Sequence, residues 1–136
     1  MVDASTTQAR TTRRPLTATG LPIATALATV FAAAAAEVPV LIGDPGTPGP
    51  MIVPAELPPG TFLVAVTSGT SGHPRPVLRT AASWTASFAP LAQLTGIGAQ
   101  DRVLLTGPLH ATLHLFAAVH TLASGAELTD QPANSA

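Results

Sequence analysis

The stretch Phe62–Thr80, FLVAVTSGTSGHPRPVLRT, constrains this chain more than any other. Its apolar, partly β-branched run Phe62–Thr67 reads as a buried strand, and Pro76–Thr80 reads as a second short one. Between them, Gly69 and Gly72 stand among serines and threonines, a composition that suits a connection and not a regular element. The pair predicts a hairpin-like unit within a sheet, and a sheet needs helices on its faces to bury its apolar side. The chain can supply them: 46% of its 136 residues are hydrophobic and only 10% are charged, enough for one domain, or part of one, with a modest core.

The flanking segments predict an α/β arrangement. Pro22 stands at a first helical position before an alanine-rich run, so a helix is expected over Pro22–Ala36, followed by a strand in Val38–Gly43. From Gly43 to Gly60 proline and glycine dominate, and a loop is expected. After the hairpin, Trp84, Phe88, Leu91 and Thr95 fall at helical spacing, with Ser83 as N-cap and Pro90 as a kink or early end. Asp101–Gly107 reads as a strand opened by a turn residue. Ala111–Ala123 reads as a helix closed near Gly125, with a further strand starting after it. Residues 1–20 are expected to be a disordered lead-in, 21–129 a partial domain containing the 43–60 loop, and 130–136 a frayed tail.

Several function classes are excluded at the outset. A formal net charge of −1 offers no basic field for nucleic acid. The chain has no cysteine, which removes disulfides, thiolate metal sites and a cysteine nucleophile. It has no tyrosine and, because its six basic residues are all arginine, no lysine. The alanine-rich run is interrupted by Glu37 and diluted by threonines, so no membrane span is expected. The arginines, the apolar run and the alanine stretch also fit a second layout, a secretory signal in which "TRRPL" is loosely twin-arginine-like. Cytoplasmic residence is the first expectation and export the alternative.

The hydroxyl-rich loop points to an anion. Glycines let successive backbone N–H groups converge on one point, hydroxyls add donors without bulk, and Arg75 offers a planar fork suited to phosphate oxygens. Related motifs fail on particular residues. A Walker-type loop needs Gly-Lys-Ser/Thr, and lysine is absent. A nucleophile elbow needs glycine where His73 stands after Gly72. A dinucleotide fingerprint needs a helix directly after the loop, where a strand is expected instead.

The residues Thr67–Val77, TSGTSGHPRPV, resemble the phosphate-loop signature T-S-G-[ST]-[ST]-G-x-P-K-G-V of the adenylate-forming superfamily, which includes acyl- and aryl-CoA synthetases, peptide-synthetase adenylation domains and luciferases. "RTAASWTASF" is similar to the helix after that loop in acyl-CoA ligases. "GPLHATL" is similar to a Pro-Leu-aromatic-His stretch of the family, with Gly125 at the spacing of a later glycine, and "VPVLIGDPG" to an upstream V-P-V-x-x-D-P pattern. The likeness covers roughly residues 21–129. It implies a partial layered sheet with helices on its faces, a fragment of the large N-terminal domain. It also implies an ATP-dependent acid–thiol ligase that activates a carboxylic acid as its acyl-adenylate before passing the acyl group to coenzyme A. By the same resemblance Thr67, Ser68, Gly69, Thr70, Ser71, Gly72 and Arg75 are expected to hold ATP phosphates with Mg2+ sharing the charge, and His110 to lie by the acyl pocket.

The resemblance departs from its pattern in identifiable places. Arg75 replaces lysine and Pro76 replaces glycine, which changes the cation's geometry and removes a backbone donor. A Tyr-Gly-x-Thr-Glu segment, a ribose-binding aspartate and a C-terminal lysine are absent from the sequence. The expectation is a fragment incomplete for catalysis, acting only with a complementing chain that carries the missing groups. It is also expected to be marginally stable and inclined to associate through open sheet edges.

Plainer readings accompany each candidate. The loop can be a ligand-free connection, and Arg75 a solvated cation. His110 and His114 stand one helical turn apart, but no carboxylate or cysteine lies near them in sequence to complete a metal site, and a histidine lining a pocket fits better. His120 is expected to be simply a helix residue, and Trp84 and Phe88 core residues. Beside the ligase fragment, two other classes remain: a non-catalytic nucleotide or polyphosphate module, and an exported or interaction protein.

Overall fold

The computed structural model describes residues 14–47, 53–67 and 74–131. The elements in chain order are β1 (Leu16–Thr17), α1 (Ile23–Ala36), β2 (Val40–Ile42), β3 (Thr61–Thr67), β4 (Arg75–Thr80), α2 (Ala81–Thr85), α3 (Phe88–Thr95), β5 (Arg102–Leu105), α4 (Thr112–Ala123) and β6 (Glu127–Asp130). They make a four-stranded sheet ordered β1-β2-β3-β4 and a separate pair β5-β6. β1, β2 and β3 run parallel, β4 returns antiparallel to β3, and β5 and β6 are parallel. The fold is α/β, a partial sheet with helices, as expected from the alternation of apolar runs.

Each parallel pair needs a crossover, and two of the three are helical; the β2-to-β3 connection runs through the 43–60 segment. α1 joins β1 to β2, and α4 joins β5 to β6. α1 is held by the burial of Ala26, Leu27, Val30 and Ala33, which recur at helical spacing on one side. β3 is the central strand: Phe62, Leu63, Val64 and Ala65 are all buried, consistent with a continuous apolar run paired on both sides. Full burial of a leucine or valine here contributes about 1.5–3 kcal/mol. β4 is an edge, and its Pro76 sits opposite Val66, where a residue without an N–H is tolerated.

A run of aromatic contacts ties the four-stranded sheet to α4. Phe62 of β3 meets Trp84 of α2 edge-on with ring centroids 5.7 Å apart, and Trp84 meets Phe116 of α4 at 5.2 Å. Phe116 in turn touches Phe88 of α3 at 5.8 Å and stacks on His120 at 6.2 Å. These residues, Leu105, Leu109 and Leu115 belong to the same core as α1 and β2. Trp84 is buried, and Phe88 packs against the core, as their apolar character predicts. His120, expected to be an ordinary helix residue, is instead fully enclosed, with Nε2 3.2 Å from the Phe88 carbonyl oxygen. A carbonyl only accepts, so the Nε2–H tautomer satisfies the ring there.

Other expectations are corrected. Within the supposed lead-in, Leu16–Thr17 pairs with Val40 and Leu41, and Ala18 is buried; two residues suffice because β2 offers an open edge. The helix anticipated across Trp84, Phe88, Leu91 and Thr95 is two, broken at Ala86–Ser87. Its N-cap is Thr80, not Ser83: Thr80 Oγ1 accepts the Ser83 N–H at 3.1 Å, while the Ser83 hydroxyl donates back to the Thr80 carbonyl at 2.8 Å. Pro90 neither kinks nor ends a helix, because it falls in the first turn of α3, where its missing N–H has no intrahelical partner to lose. Asp130, placed in the frayed tail, closes β6, and the next N–H bonds to the Leu105 carbonyl. Within the 43–60 loop, residues 43–47 and 53–60 form only turns and bends. Among the described residues no helix is long and apolar enough to cross a membrane.

Candidate functional site

The carboxyl ends of β1, β2 and β3 share one edge because the three strands are parallel. In open α/β sheets the crevice outside such ends is where ligands sit, since the chain leaves the sheet there in loops free to carry polar groups. On this edge Thr19 Oγ1, just past β1, accepts the Gly43 N–H just past β2 at 2.9 Å. Gly20, with φ +72°, takes up the left-handed conformation that the turn after β1 needs. Asp44 is fixed beside it: its Oδ1 accepts the Gly46 N–H at 2.8 Å and its carbonyl accepts the Thr47 N–H at 3.1 Å.

The segment after β5, Thr106–His110, comes to the same edge. His110 Nε2 lies 4.0 Å from Asp44 Oδ2, and both side chains are about a third to a half exposed, at 31% and 48%. Leu109 beside it is buried and anchors this segment in the core. A Cβ on Gly107 would overlap the His114 imidazole, so glycine is what lets that ring lie against the backbone. His110 therefore stands partly exposed beside the buried Leu109, with the Asp44 carboxylate opposite.

Thr67 ends β3 on this edge and is the register partner of Arg75, which opens β4. The chain that joins them carries the phosphate-loop expectation. Ser68, Gly69, Thr70, Ser71 and Gly72 lie outside the described residues. Arg75 is exposed on the edge strand, and Arg79 follows on the same strand. The structure thus brings Asp44 and His110 together and sets the base of the loop, Thr67 and Arg75, at the carboxyl end of the central strand.

The sequence reading places Asp44 in the turn stretch and in the Asp-Pro of the upstream family-like pattern, but gives it no role. The available signals are that Asp-Pro match and its place directly after a short parallel strand. The expectation that no carboxylate approaches the histidines holds along the sequence but fails in space, because the fold brings the β2 and β5 ends together. Among the described residues, no group of three or more His, Cys, Asp and Glu side chains converges as a metal cage.

No model of a known protein family matches the sequence, and no curated protein matches it. Among solved structures, the chain is similar to the inhibitor-bound N-terminal domain of FACL13 from Mycobacterium tuberculosis, with 20% identity over 68% of this chain and 31% of that one, at a TM-score of 0.49. It is also similar to CmiS6, with 22% identity over 83% of this chain and 32% of that one, at a TM-score of 0.46. The chain spans about a third of the length of both.

Proposed function

We propose that the chain binds the polyphosphate of ATP through Thr67, Ser68, Gly69, Thr70, Ser71, Gly72 and Arg75, as the nucleotide-binding part of an acyl-CoA ligase-like, adenylate-forming site. The observation that carries this reading is the TSGTSGHPR motif joining two register-matched antiparallel strands, with its first residue at the carboxyl end of a central parallel strand. Backbone N–H groups and hydroxyls there would neutralise phosphate charge, and the Arg75 fork would complete the set. Among the described residues no three His, Cys, Asp or Glu side chains converge, and Mg2+ would ride on the nucleotide's phosphates and waters.

In the complete reaction a carboxylate attacks the α-phosphorus of ATP, forming the acyl-adenylate and releasing pyrophosphate, and coenzyme A then takes the acyl group. This chain's share is to bind and orient the phosphates and, through His110, to border the acyl group. Lysine and tyrosine are absent from these 136 residues, so groups of those types would come from outside them.

Isothermal titration calorimetry with ATP-Mg tests the reading. The expected result is saturable binding that weakens at least tenfold in the Ser71→Ala, Arg75→Ala double variant, the effect of losing one charged and one neutral phosphate contact. A flat titration by folded protein, or equal affinity in the variant, would overturn it.

A further inference from the structure

We infer that Asp44 is a built-in counter-ion for His110, holding the imidazole Nε2 toward the crevice mouth and yielding its place to the carboxylate of an acidic ligand. The inference rests on the reading of this crevice as an ATP and carboxylic-acid site. It adds a residue that neither the loop motif nor the histidine stretch contains.

Three observations carry it. First, the two groups face one another with little else to do. Asp44 spends Oδ1 on the Gly46 N–H, whereas Oδ2 points at His110 Nε2 from 4.0 Å. That gap is beyond hydrogen-bond length, so the two groups form an ion pair only when the ring is protonated, and the ring nitrogen keeps its donor capacity for a closer partner. Second, Asp44 is held independently of His110, because its turn is tied by the Gly46 and Thr47 N–H groups and by the Thr19–Gly43 bond. A carboxylate fixed by its own turn orients a mobile ring without collapsing onto it. Third, the pair bridges the segments after β2 and β5, so a carboxylate that takes the place at His110 Nε2 arrives between the four-stranded sheet and the β5–β6 pair, beside buried Leu109.

An incoming carboxylate and the Asp44 carboxylate compete for one donor. Both cannot approach Nε2 closely without like-charge repulsion, so Asp44 orients His110 in the free protein and opposes ligand entry. Asp44 is on this account a positioning residue, and its removal has a signature that a purely structural role would not give: tighter anion binding.

The test uses octanoate as probe, titrated calorimetrically at pH 6.0 into the wild type, Asp44→Asn, His110→Ala and the double variant. ATP-Mg is titrated into the same samples. Asparagine keeps the Oδ1 acceptor for the Gly46 N–H, so the turn survives while the charge goes. The expected result is octanoate binding about two- to fivefold tighter in Asp44→Asn, the scale of a partly exposed ion pair. His110→Ala should weaken it, and the gain from Asp44→Asn should vanish in the double variant. Unchanged or weaker binding in Asp44→Asn, a gain that persists without His110, or no octanoate binding by any of the four proteins overturns the inference. ATP-Mg binding in those same samples separates that failure from failure of the nucleotide reading.

Discussion

Glu37 occupies a position that its side chain disfavours. It has φ 54° and ψ 40° and is, among the described residues, the one non-glycine with positive φ. The left-handed turn lets the Glu37 and Val38 N–H groups close on carbonyls of the last turn of α1, from Ala33 and Ala34, and redirects the chain into β2. Glycine adopts this conformation without the Cβ clash, so Glu37→Gly is expected to stabilise the fold by roughly 0.5–1 kcal/mol after its greater unfolded-state entropy is subtracted. Urea unfolding with an unchanged m-value checks this; a lower midpoint would mean that the glutamate makes a contact worth more than the strain. Residue roles were legible in the sequence where chemistry is local. The burial of Trp84 and the turn role of Asp101, whose Oδ2 accepts the Gly98 N–H at 2.8 Å, are local matters. Asp44 and His120 were not legible, because each takes its role from a partner far away in sequence, His110 and the Phe88 carbonyl respectively.

At the scale of elements, apolar runs announced β3, β4, α1 and α4, because burial and periodicity are written in the residues that perform them. Two features escaped for physical reasons. β1 is only Leu16–Thr17 and has no period to read; its pairing depends on the open edge of β2. The break between α2 and α3 keeps Trp84 and Phe88 at apparent helical spacing, and a turn that preserves spacing leaves no trace in periodicity. The elements also differ in how well they are held. β3 is paired on both sides and deeply buried, whereas β5 and β6 pair only with each other among the described residues, and Leu104 is 54% exposed. Hydrogen exchange should therefore be slowest at Leu63–Ala65 and at least tenfold faster through Glu127–Asp130, a difference of about 1.4 kcal/mol or more in opening free energy. Equal protection in both would mean that the molecule opens as one unit and that the aromatic contacts couple the two sheets fully.

At the scale of the molecule, two regions compete as the place where a ligand binds. One is a groove of about 570 Å³ bordered by Ile23, Leu27 and Phe31 of α1, with Leu122, Leu128 and Asp130. Its wall is apolar apart from one carboxylate, so it offers nothing to neutralise a polyphosphate. The other is the edge where β1, β2, β3 and β5 end, with Asp44, His110, Thr67 and Arg75 around it. It combines a cation, donors and a topologically favoured position, and it is the account's candidate. Mapping backbone amide shifts in the ¹⁵N-labelled protein as ATP-Mg is added tests that choice most directly. Saturable changes are expected in Thr67–Arg75, with smaller ones at Asp44 and Gly107–His110. Changes centred on α1 and β6, or none at the loop, would contradict it.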